Sequence, residues 1–293
     1  MTPAGVTAPL ERVEAGTAGP SSRDAILLVD NLVKRFATPD GVLTAVEHVS
    51  LSVAPGEFLA VIGPSGCGKS TLFNVIGGLL DADEGSVMVG GERVRGPHSA
   101  IGMIFQEEST FPWRNVIDNV AFPLEIARVP KAERHERARQ LVRLVGLDGF
   151  ERRYPAELSG GMRQRVSMAR TLAAHPKILL MDEPFAALDE QTRLLLGDKV
   201  LQIQQQLKQT TLLITHNITE AVQLSDRVLV MTYRPGQVKR IVDIDLPRPR
   251  TSEIVSSEAF GRYVAQIWSD LREEATKGLH DEESQKLREG DKR

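Results

Sequence analysis

Five apolar residues, Phe58–Ile62, run directly into Gly63-Pro64-Ser65-Gly66-Cys67-Gly68-Lys69-Ser70-Thr71 and then into a helical stretch over 70–79. This junction limits the fold more than any other segment. A short run without a polar residue suits a strand buried on both faces. The glycines at 63, 66 and 68 let the following backbone turn sharply and aim successive N–H groups at one point. Gly63, Gly68, Lys69 and Ser70 fit the pattern G-x-x-x-x-G-K-[ST]. In that pattern backbone N–H groups cradle phosphates, the lysine reaches the β and γ phosphates, and the hydroxyl ligates magnesium. Strand, loop and helix in this order predict a nucleotide-phosphate site on a parallel α/β sheet.

A second apolar run, Ile178-Leu179-Leu180-Met181, delivers Asp182 and Glu183 at its carboxyl end. Ligands bind at that end of open α/β sheets. A carboxylate pair there can also be solvated charge, and only its place downstream of the phosphate loop favours chemistry. Asp182 would then hold magnesium and Glu183 would polarise a water as general base.

The chain of 293 residues is 41% hydrophobic, enough for a large core, and its net charge of -3 leaves no footprint for nucleic acid. No apolar run reaches the roughly 18–20 residues a membrane-crossing helix needs. Residues 1–22 are rich in Ala, Gly, Thr and Pro and lack an apolar signal-like core, so they are expected to be a disordered extension. β-favouring runs at 26–29, 43–46 and 49–53 predict a small antiparallel sheet, and a second hairpin turns at Gly90-Gly91. Residues 107–160 read as an inserted helical subdomain, with Ala138, Leu141, Val142 and Val145 at helical spacing. Strands at 178–181 and 211–215 alternate with helices near 161–174 and 190–207, which restores the parallel core. The α/β region that carries the phosphate loop spans 26–245. Residues 246–275 form a C-terminal helical extension with an apolar stripe at Phe260, Tyr263, Val264, Ile267, Trp268 and Leu271, and 276–293 a charged, frayed tail.

Leu158-Ser159-Gly160-Gly161-Met162-Arg163-Gln164 resembles the signature motif of the ABC ATPases. The resemblance continues in family order through the phosphate loop, Gln106, the signature, Asp182-Glu183, Ala187-Leu188-Asp189 and Thr215-His216. It implies a P-loop NTPase of α/β class, an ABC-type nucleotide-binding domain with a parallel core sheet, an N-terminal antiparallel β-subdomain and an inserted helical subdomain. It further implies an ATPase using ATP and Mg2+ that pairs head to tail with a second copy or a homologous subunit. By the same resemblance Ser159, Gly160, Gly161 and Gln164 would meet ATP held by the partner, and His216 would bridge the γ-phosphate and Glu183. Gln106 would sense magnesium, Asp189 would couple the two sites, and Phe36 would stack on adenine, with a core phenylalanine as the alternative. Asn217 stands where relatives often carry aspartate, and Ala186 where they often carry Gly or Ser.

Phe105-Gln106-Glu107, Phe111-Pro112-Trp113-Arg114 and Arg234-Pro235-Gly236 look like the ATPases of nitrate, sulfonate, taurine and bicarbonate importers. That likeness implies permease subunits as direct partners, a periplasmic or lipoprotein substrate-binding protein as an indirect one, and a peripheral place on the cytoplasmic face of the inner membrane. Trp113 would be a groove wall or a buried anchor. Lipid trafficking or export, and a soluble non-transport ATPase, are the alternative tasks. The chain's single thiol, Cys67, lies inside the loop. Its alkylation is expected to inhibit the enzyme, with MgATP protecting.

Overall fold

The computed structural model describes residues 24–39, 41–106, 109–186 and 188–290, with 279–290 as backbone only. The expected extension at 1–22 lies outside the described residues. In chain order the strands are β1 (Leu27–Thr38), β2 (Gly41–Val53), β3 (Phe58–Ile62), β4 (Glu84–Val89), β5 (Glu92–Arg93), β6 (Ile101–Ile104), β7 (Ile178–Asp182), β8 (Thr210–Ile214), β9 (Arg227–Met231) and β10 (Val238–Asp243). The α-helices are α1 (Lys69–Ile76), α2 (Val116–Ile126), α3 (Lys131–Leu144), α4 (Gly160–Ala173), α5 (Glu190–Leu207), α6 (Ile218–Leu224) and α7 (Glu258–Gly290).

The central sheet has the order β10-β9-β3-β8-β7-β6, parallel from β9 to β6, with β10 antiparallel on one edge. Its strands feed two cores by simple alternation. In β3, Leu59 and Val61 face the core shared with α1 and the second sheet, while Ala60 and Ile62 face α6 and α7. In β7, Ile178 and Leu180 join the first of these, while Leu179 and Met181 face the helices α2 to α5. Both faces are therefore covered, which is why these strands read as unbroken apolar runs. Each fully buried Val, Leu, Ile or Phe contributes on the order of 1.5–3 kcal/mol.

The second sheet is antiparallel, in the order β2-β1-β4-β5. The Gly90-Gly91 hairpin thus joins the N-terminal strands rather than standing apart, with Leu27 opposite Val89. β1 extends well past the expected residue 29. Asn31 takes a positive φ of 48° and the pairing with β2 shifts register between Val29 and Leu32, so the apolar alternation breaks while the ladder continues. Lys34 and the Arg35 backbone are both held by the Asp83 carboxylate, which keeps this polar half in place.

α2, α3 and α4 pack against one another, and Ala138, Val142 and Val145 are buried between them. The C-terminal helix seats Phe260, Ile267 and Leu271 on β9 and α6. Trp268 does not join them; it is 58% exposed, because it lies one residue past Ile267 and so about 100° around the helix from the seam. Nor does the helix stop near 275: it continues to Gly290, with Lys277 paired to Glu273 and Glu274. Ion pairs one turn apart supply the local support that an apolar stripe does not. Among the described residues no helix is long and apolar enough to cross a membrane.

Candidate active site

The phosphate loop links β3 to α1 at the carboxyl end of the central sheet. Gly68 precedes the helix with a φ of 99°, and a Cβ there would lie 2.4 Å from the Ala45 carbonyl, so only glycine fits. Lys69 is 7% exposed, and its Nζ donates to the carbonyls of Gly63 and Pro64, both at 2.9 Å. The ammonium is thus parked on the loop's own backbone, with a third, longer contact to the Cys67 sulfur at 3.9 Å. Ser65, Gly66, Gly68, Lys69, Ser70 and Thr71 line a cavity of about 340 Å³ together with Phe36 and Glu183. Phe36 is only partly buried and faces this cavity rather than a core.

Cys67 does not line this cavity. Its backbone belongs to the loop, but the side chain is fully buried beneath it in the core, and burial pushes the thiol pKa up. A buried thiol with a raised pKa reacts slowly with alkylating reagents. Alkylation requires the loop to open first.

β7 brings Asp182 beside Ser70, whose hydroxyl favours the ionised carboxylate. Burial raises the Asp182 pKa, partly offset by Ser70, and its Oδ1 is buried with no hydrogen-bond partner. Glu183 takes a positive φ of 45° while its N–H donates to the Ile214 carbonyl at 2.9 Å. For a glutamate that conformation costs about 1–2 kcal/mol, and strain of this kind gathers at functional positions. The next segment over, after β8, carries His216, whose Nδ1 lies 3.1 Å from Glu183 Oε2. The carboxylate and imidazole therefore meet at the cavity wall, from strands that are neighbours in the sheet.

The remaining candidates lie apart. Gln106 is exposed on the bend after β6, one strand over from Asp182, and is not among the residues lining the cavity. Ser159 caps α4, accepting from Met162 N at 3.3 Å; Gly160 is partly exposed and Gly161 buried. Gln164 is 4% exposed, with its side-chain nitrogen unpaired. Ser159 and Gly161 line a different cavity, of about 390 Å³, with Arg165 and Lys199. Asp189 caps α5: its carboxylate accepts from Thr192 N at 2.9 Å and Thr192 Oγ1 at 2.7 Å, and these bonds hold its pKa down. Trp113 is 71% exposed with its ring 5.5 Å from that of Phe111, which removes the buried-anchor alternative.

The family model described as ABC transporter matches residues 46–186. An uncharacterized ABC transporter ATP-binding protein of Methanocaldococcus jannaschii is 49% identical over 86% of this chain and 94% of its own length. The chain belongs to the ABC transporter ATP-binding family. The nitrate import ATP-binding protein of Synechocystis sp. is 42% identical over 84% of the chain and 95% of its own length. The taurine import ATP-binding protein of Shigella sonnei is 46% identical over 70% and 80%. Among solved structures, a dimeric ATP-binding cassette bound to ADP and Pi in a post-hydrolysis state superposes with a TM-score of 0.67 at 29% identity, covering 75% of this chain and all of that one.

Two residues of this ABC ATPase lie at the site without having been singled out for it. Arg234 lines the phosphate-loop cavity and donates from Nε to the Gly66 carbonyl at 3.0 Å. Glu220 is buried under the His216 segment, where it accepts the Thr215 hydroxyl proton, and Thr215 Oγ1 in turn accepts from Asn217 N at 2.9 Å. Burial drives the Glu220 pKa up to about 7. Both are charged residues far in sequence from the phosphate loop; the Arg-Pro-Gly run was the one available signal for the first, and Glu220 left none.

Proposed function

We propose that this ABC ATPase binds MgATP in the cavity between Phe36 and Glu183 and hydrolyses it in a head-to-tail pair. In this reading it sits peripherally on the cytoplasmic face of a membrane and drives permease subunits that import a small anionic solute. The observation that carries the catalytic part is the Glu183–His216 contact of 3.1 Å beside Lys69 and Ser70. Lys69 would exchange its loop carbonyls for the β and γ phosphates, a charge-assisted replacement at a site already shaped for it. Glu183 would take the proton of the attacking water. With Nδ1 on Glu183, His216 keeps Nε2 for the γ-phosphate.

The chemistry of the donors suits magnesium. The partnerless Asp182 Oδ1 and the Ser70 hydroxyl offer two hard oxygens, and the phosphates with water supply the rest of such a shell. Bound there, the ion would neutralise charge developing on the phosphates. Gln106 is the candidate for a further contact to it.

Pairing is supported by the separation of the two cavities. The signature residues Ser159 and Gly161 do not share a cavity with the phosphate loop of the same chain, so they would serve a nucleotide held by another copy. The solute class is supported by relatives named for nitrate and taurine import; sulfonate and bicarbonate belong to the same group of small anions. Mixing tests the trans arrangement. Lys69→Ala destroys one loop and Ser159→Arg one signature, so each variant alone should be inactive while an equimolar mixture regains ATPase activity through one intact composite site. A mixture as inactive as its components overturns it. For the transport reading, the chain should co-purify with a permease and be stimulated by an anion-loaded binding protein; retention on ribosomes or DNA without a permease would sink it.

A further inference from the structure

Arg234-Pro235-Gly236 occupies a crease between β2 and the phosphate loop. Gly236 N donates to the Ala45 carbonyl at 3.1 Å and its carbonyl accepts from Glu47 N at 2.9 Å. A Cβ at 236 would fall 2.1 Å from the Cys67 carbonyl, so the segment reaches this depth only as glycine. On the other side, Tyr233 N donates to Glu274 of α7 at 2.9 Å. The backbone around Arg234 is therefore fixed from two directions.

Its side chain lies across the loop. Nε bonds the Gly66 carbonyl, and a Cβ on Gly66 would be 2.7 Å from a terminal guanidinium nitrogen. Among the described residues no carboxylate pairs with this guanidinium and its two terminal nitrogens make no hydrogen bond; the Tyr233 ring lies 5.9 Å away. By contrast, Arg227, Arg240 and Arg248 all have carboxylate partners. A brace for the loop needs only a neutral donor. A positioned cation with its charge unmatched, on the wall of a cavity that Lys69, Ser70 and Thr71 also line, calls for an anion.

We propose that Arg234 is a second cation of the nucleotide pocket, taking the phosphates from the open side of the loop while Lys69 takes them from beneath. This rests on the nucleotide reading above. Binding of MgATP, MgADP and adenosine to the full chain, compared for parent, Arg234→Gln and Arg234→Lys at low and high salt, tests it. Arg234→Gln should weaken MgATP binding about tenfold at low salt, a typical loss for a charge-assisted bond. The loss should be smaller for MgADP, absent for adenosine and reduced by salt, and Arg234→Lys should recover part of it. MgATP bound by Arg234→Gln within twofold of the parent, or an equal loss for adenosine, overturns the proposal and leaves Arg234 a loop brace. A parent chain that binds no MgATP sinks the nucleotide reading instead.

Discussion

The phosphate loop and the signature segment both open a helix with unpaired N–H groups, and they are held in opposite ways. Around the loop the backbone is held from several sides: Lys69 bonds two of its carbonyls, Arg234 Nε a third, and Gly68 is wedged against Ala45. At the signature, Ser159 is exposed, its hydroxyl makes only the cap bond among the described residues, and Gln164 is buried with its nitrogen unpaired. A geometry fixed from several sides is ready for its ligand before the ligand arrives, which is what preorganisation means energetically. The exposed cap of the signature is where the proposed partner nucleotide would add contacts.

The largest effect should come from breaking the finished half. Glu183→Gln keeps the shape of the side chain and removes its basicity, so steady-state phosphate release should fall by about 10²–10⁴-fold. ATP binding should persist, and size-exclusion chromatography in MgATP should show the pair accumulating. Turnover at the parental rate would show that the strained backbone at Glu183 serves something other than proton transfer.

The same contrast explains what the sequence could and could not disclose. Phe58–Ile62 reads as a buried strand and is one, and Gly63–Thr71 reads as its loop, because both are dictated by residues adjacent in the chain. Val228 to Met231 is an equally plain apolar run and forms β9, yet Arg227 at its head masks it. That arginine is buried because groups distant in sequence receive it: Glu57, 170 residues away, pairs with it at 2.9 Å and the Ser52 carbonyl accepts from it at 3.0 Å. β10 and α6 escape for related reasons: one is a polar-flanked edge strand, the other is short and capped by Asn217. The parking of Lys69, the burial of Cys67 and the reach of Arg234 are products of packing between distant segments. No local spacing encodes them.

Next in size is a change that acts on the His216 arm of the finished half. Glu220 faces Thr215 on its own segment, Arg193 and Glu190 on α5, and Glu183 across the cleft; burial outweighs the lowering by Thr215 and Arg193, and the pKa stands at about 7. Folding therefore takes up a proton between the ordinary glutamate value and 7. Stability from this group is full below about pH 4.5 and is lost as pH rises through 7, by up to about 3 kcal/mol. Glu220→Gln should flatten that fall, measured as the difference in denaturant midpoints between pH 5 and pH 8. An unchanged slope would place the titration elsewhere.

Smaller again is the effect of breaking the unfinished half. Ser159→Ala removes the α4 cap and should lower stability by about 1 kcal/mol. If the segment also serves a partner's nucleotide, ATP-dependent pairing should weaken beyond what that loss explains. Normal pairing would confine Ser159 to its capping role and detach the signature from the trans site.

The smallest effect is expected at Asn217. Its side-chain oxygen accepts from Glu220 N at 3.1 Å, which makes it the cap of α6, immediately after His216. Asparagine and aspartate are about equally good caps, so Asn217→Asp should shift stability by no more than about 0.5 kcal/mol. ATPase activity should stay within about twofold. Asn217→Ala deletes the bond and should cost about 1 kcal/mol, so the pair of variants separates the capping oxygen from the charge. A large activity loss in Asn217→Asp at unchanged stability would mean that the added negative charge, two residues from Thr215 and next to His216, disturbs the Glu183–His216 contact. The neutral residue would then be a requirement of this site.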